Sequence, residues 1–131
     1  MRKQLIASLA AVALAGLGPN MVSAQDLIGS YVAYIGGNDL FNSKGARLTE
    51  PWQILRQDRA NVHKFGLVDR GDEGDPFFGD IDNRAAMETM VRQGWIEPGA
   101  ARAIVNGFTF VQVEIYGQGG RGTSVRVTVY N

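Results

Sequence analysis

Apolar and polar residues alternate most sharply at the C-terminal end of the chain. Val111, Val113 and Ile115 alternate with Gln112, Glu114 and Tyr116, and Val125, Val127 and Val129 alternate with Arg126, Thr128 and Tyr130. That period of two is the mark of strands with one buried face. The glycine-rich stretch 117–123 lies between the two runs, so the pattern predicts a β-hairpin. Two strands alone are marginal in water. The aromatic and β-branched segment Ser30–Ile35, ended by Gly36-Gly37-Asn38, is the predicted third strand.

Between these strands the period changes. Trp52, Leu55, Arg59 and Val62 recur at helical spacing up to Phe65, with Thr49 as N-cap, Glu50 and Pro51 in the first turn and Gly66 as terminator. The polar, acidic segment 66–80 reads as a loop. Asp80 or Asp82 is placed to cap a second helix carrying Ala86, Met87, Met90 and Val91 and closed by Gly94. Glu97-Pro98 opens a short third helix through Ile104 that stops at Asn106-Gly107. The expected fold is a small α+β domain: a mainly antiparallel three-stranded sheet with a C-terminal hairpin, its valine face covered by about three helices.

The N-terminus falls outside this pattern. Arg2 and Lys3 precede an uncharged run from Leu5 to Leu17, followed by Gly18, Pro19 and the small-residue sequence Val22-Ser23-Ala24. Residues 1–24 therefore read as an export signal cleaved after Ala24, too short for a membrane span of about 20 apolar residues. Residues 25–131 are expected to form a single domain, soluble and without a transmembrane segment, in the periplasm or secreted.

Composition narrows the chemistry. The 131 residues contain no cysteine and one histidine, which excludes a disulfide framework, a thiolate nucleophile, cysteine-ligated zinc or iron-sulfur clusters and a His-rich metal site. The formal charge is zero, with no basic excess for nucleic acid. The leader takes Arg2 and Lys3 with it, leaving 11 basic and 13 acidic side chains, a net charge of −2. Those charges are segregated: Lys44 to Lys64 carry five bases and two acids, and Asp69 to Asp82 carry six acids and Arg70.

The basic helix and the acidic loop hold the candidate chemistry. Arg56, Arg59 and His63 are spaced i, i+3, i+7 and can share a helix face able to hold a phosphate or carboxylate. The acidic loop offers three readings. Asp69, Asp72, Asp75, Asp80 and Asp82 are a calcium alternative, although no register matches an EF-hand. Asp72 or Asp75 paired with His63 is the catalytic alternative. The third has the loop folding back to neutralise the basic helix. Phe77 and Phe78 either anchor the loop into the core or form a contact patch. Gly117-Gln118-Gly119-Gly120-Arg121-Gly122 matches the dinucleotide-binding pattern literally, but a strand follows it where that pattern needs a helix.

The segments Trp52–Gly66 and Asp75-Pro76-Phe77-Phe78-Gly79 resemble small uncharacterised exported (periplasmic) proteins of Gram-negative bacteria, over the middle third of the chain after the leader. The resemblance implies export and a shared domain and brings no activity with it. The sequence thus predicts an exported, non-catalytic accessory or binding protein without a cofactor. Its contact residues would be Arg56, Arg59, His63, Phe77 and Phe78, and its partner another protein or an anionic small molecule. The alternative is a small hydrolase of phosphorylated or glycan substrates, using His63 and an acidic-loop carboxylate.

Overall fold

The computed structural model describes residues 25–131; the leader read in residues 1–24 lies outside the described residues. The chain runs as strand β1 (Asp26–Ile35), a single 3₁₀ turn (Gly37–Leu40), helix α1 (Pro51–Ala60) with a π-helical extension (Asn61–Phe65), α2 (Ile81–Ala85), α3 (Met87–Gln93), β2 (Trp95–Ile96), α4 (Pro98–Asn106), β3 (Thr109–Gln118) and β4 (Arg121–Val129). The α+β class and the C-terminal hairpin stand as the pattern predicts. The sheet has four strands where three were expected, in the order β1-β3-β4-β2.

The hairpin register pairs Val113 with Val127 and Gln118 with Arg121, leaving Gly119 and Gly120 as the turn. Both have positive φ, 59° and 79°, as a two-residue turn matched to the strand twist requires. This is the role of the literal G-x-G-x-x-G match. β1 pairs antiparallel with β3, Tyr31 opposite Val113. The added strand is Trp95–Ile96, parallel to β4. Two residues are too few to show a period, so this strand exists because the chain leaving α3 is laid against Val125–Val127.

One face of the sheet buries Tyr31, Ala33, Ile35, Val111, Val113, Ile115, Val125 and Val127. Against it pack Ile54 and Leu55 of α1, Met87 and Met90 of α3, and Ala100 and Ile104 of α4. The predicted second helix is split at Ala86, whose N–H is shared between the Asp82 and Asn83 carbonyls, and Asp80 caps its start by accepting from the Asp82 N–H. Glu50, one residue later than expected, is the N-cap of α1, with Pro51 at its first position.

The outer edge of β1 is covered by the acidic loop. Glu73 accepts the Val32 N–H at 2.8 Å and returns its own N–H to the Val32 carbonyl, and Asp72 accepts the Tyr34 N–H at 2.7 Å. Two carboxylates thus occupy donors that an unpaired edge would offer to another chain.

Candidate functional site

The stripe of α1 that faces the sheet consists of Ile54, Leu55, Asp58 and Arg59, so an ion pair enters the core beside two aliphatic side chains. Arg59 is fully buried. Its Nε donates to Asp58 at 2.8 Å, and its Nη1 to Asp75 at 2.8 Å and to the Glu73 carbonyl at 3.0 Å. Its guanidinium carbon lies 3.9 Å from the Tyr31 ring centroid, a cation–π contact made strong by desolvation. Asp75 also accepts from the Phe78 N–H and meets His63 Nε2 at 2.9 Å.

One cation cannot balance two carboxylates equally in a dry interior. Burial works against the charge of Asp75, but the Phe78 N–H, His63 and Arg59 together hold it below the usual carboxylate range. Burial pushes Asp58 well up despite the neighbouring Arg59, and its Oδ1 has no partner among the described residues. Asp75 is therefore the ionised member of the cluster and Asp58 the one driven towards its neutral form.

This arrangement redistributes the residues singled out from the sequence. Arg56, Arg59 and His63 do not form one contact face: Arg59 is sealed inside, Arg56 stacks over Trp52 with its guanidinium carbon 5.0 Å from the ring centroid, and His63 is half-buried against Asp75. The cause is the burial stripe of α1 together with the π-turn Asn61–Phe65, whose wider turn alters the angular spacing that a regular helix would give. Asp75 is the loop acid that reaches His63; Asp72 is engaged by the Tyr34 and Asp69 N–H groups. Phe78 is fully buried and Phe77 packs against the core, their rings edge to face at 4.9 Å, so both serve as anchors.

The carboxylates of the calcium alternative are dispersed. Asp69 faces Asp39, Asp72 lies on the β1 edge, Asp75 is in the buried cluster and Asp80 caps α2. Among the described residues no group of three acidic or histidine side chains is placed to hold a metal ion.

A second cluster, not foreseen from the sequence, lies on the outer side of α1. Arg56, Lys64 and Arg84 line a cleft of about 220 Å³ between α1 and α2, closed by Gln57, Ala60, Ile81 and Ala85. No acidic side chain lines it. Arg84 is 8% exposed. Among the described residues its only hydrogen-bond acceptors are the Phe78 and Gly79 carbonyls, both served by Nη1. A signal for it was present: Arg84 precedes Met87 and Val91 by three and seven residues, placing a charge on an apolar stripe.

Comparison with protein-family models, curated proteins and solved structures finds no match to this chain. No described helix is long and apolar enough to cross a membrane.

Proposed function

We propose that this chain is an exported accessory protein that acts by binding an anionic group, phosphate or carboxylate, in the cleft of Arg56, Lys64 and Arg84. The observation that carries the reading is Arg84, a nearly buried guanidinium without a carboxylate partner at the wall of a cleft that holds two further cations. A buried charge is costly unless paired, and an anion in the cleft would supply the missing partner in the planar, bidentate geometry that guanidinium favours. Arg84 is positioned for this by its two carbonyl contacts, so the cleft is partly organised before a ligand arrives.

The hydrolase alternative draws less support from the same geometry. The carboxylate beside His63 is held below its usual range and buried among three donors, which suits an anchor for Arg59 rather than a proton donor. His63 and Asp75 also lie outside the lining of the cleft.

Titration of the protein with inorganic phosphate, followed by amide chemical shifts, tests the binding reading. Saturable shifts at residues 56–64 and 81–85 are expected, and R56E/K64E, which changes two side chains at the cleft while leaving Arg84 in place, should abolish them. Unchanged spectra at millimolar phosphate, or shifts that survive R56E/K64E, would refute the anion site.

A further inference from the structure

Adjoining the cleft at Gln57, which lines both, is a cavity of about 300 Å³, at the small end of the range of ligand sites. Its lining has a different character from the cationic cleft: amides, one hydroxyl and apolar side chains, with no charged group. The π-turn builds it. Asn61 and Phe65, its first and last residues, both reach the cavity, and Gln57 of α1 completes that wall. Single π-turns are rare and recur at functional sites.

Three of the four lining amides, Asn42, Gln57 and Asn61, are held in place. Asn61 is 3% exposed, donates to the Asn38 carbonyl at 3.2 Å and to Asp39 at 2.8 Å, and accepts from Gln57 Nε2 at 2.9 Å. That bond fixes the Gln57 amide and leaves its Oε1 without a partner among the described residues. Asn42 accepts from the Lys44 and Ala46 N–H groups, each at 2.9 Å, which fixes its side chain and leaves Nδ2 free. The Asn38 side chain makes no hydrogen bond among the described residues. Beside these donors and acceptors Phe41 and Phe65 stand 44% and 47% exposed.

We infer that this cavity binds a neutral saccharide ring. Each sugar hydroxyl both donates and accepts, which matches the Asn42 Nδ2 and Gln57 Oε1 of two fixed amides and the unengaged amide of Asn38. The C–H face of a pyranose offers positive edges to the faces of Phe41 and Phe65 left open by Arg47 and Lys64, which each stack over one of these rings. The uncharged lining favours a neutral ligand over an ionic one. A peptide fits less well, because strand addition needs a free edge and the neighbouring part of β1 is already covered by Asp72 and Glu73.

This inference does not rest on the anion cleft; the two sites share Gln57, and the experiment separates them through Asn38 and Asn42. The protein is titrated with glucose, galactose and N-acetylglucosamine, and separately with trialanine, while the side-chain amides of Asn38 and Asn42, which line this cavity and not the cleft, are followed by NMR. At least one sugar is expected to give saturable shifts at these amides in the millimolar range, with residues 81–85 unmoved. F41A and F65A, both at exposed positions, should each keep the folded spectrum and weaken binding by about tenfold. The inference is overturned if no sugar moves these amides, if trialanine moves them as strongly, or if F41A and F65A bind as the wild type does. Phosphate shifts at the cleft persisting in any of those cases would leave the anion reading intact.

Discussion

Asp58 and Asp75 touch the same guanidinium yet should answer differently to the same mutation. Asp75 carries the charge that balances Arg59, so D75N leaves a buried cation uncompensated, a change that typically costs about 3–5 kcal/mol. Asp58 already leans towards its neutral form, and D58N should change stability by no more than about 1 kcal/mol at neutral pH. Urea unfolding of the two variants makes the comparison; equal losses would contradict this division of charge. Asp39 adds a pH dependence. Burial raises its pKa from 3.8 to about 6, against the Gly36 N–H and Asn61 and in concert with Asp69 and Asp72. A carboxyl whose pKa is raised by folding contributes stability that is complete below its unfolded value and is lost as pH rises through the folded one. The stability of wild type relative to D39N should therefore fall between about pH 4 and 7. A difference that stays constant across that window would remove Asp39 as its source. Asp75, with its pKa lowered, acts in the opposite sense and loses its contribution as the solution becomes acid.

Among the elements, the acidic loop has the clearest structural task. Its carboxylates serve the edge of β1 through Val32 and Tyr34, so D72A/E73A should expose two backbone donors and promote edge-to-edge association, visible as concentration-dependent light scattering. D72N/E73Q retains the acceptor oxygens and should stay monodisperse; association of both variants alike would point to charge rather than edge cover. At the other margin of the sheet, β2 depends on Gly94, where a Cβ would collide with the Val125 carbonyl. G94A should lower stability by roughly 1–3 kcal/mol, with the loss of protection in hydrogen exchange centred on Trp95–Ile96. The π-turn contributes to both hollows beside α1, since Asn61 and Phe65 line the amide cavity while Lys64 lines the cationic cleft.

Taken as a molecule, the chain separates its charges by depth as well as by position. The segregated bases and acids meet in one buried contact, Arg59 with Asp75 and His63 beside it, leaving Arg56 and Lys64 of the helical run and Arg84 of α2 without carboxylate partners among the described residues. The loop therefore neutralises the inner side of the helix, through Arg59, and not the cations that line the cleft.

The hairpin, the α+β class and the helical run from Pro51 to its terminator Gly66 were legible in local pattern, because period, capping residues and glycine position act over a few neighbouring residues. Phe78 as an anchor and the meeting of the acidic loop with the basic helix were foreseeable only as alternatives. Three things were not legible: which face of α1 is buried, the strand Trp95–Ile96, and the meeting of Arg84 with Arg56 and Lys64 in one cleft. Each depends on contacts between segments far apart in the chain. An arginine reads as a surface residue until a carboxylate sixteen positions away and a tyrosine from β1 enclose it, and a two-residue strand acquires its identity from the neighbour against which it is laid.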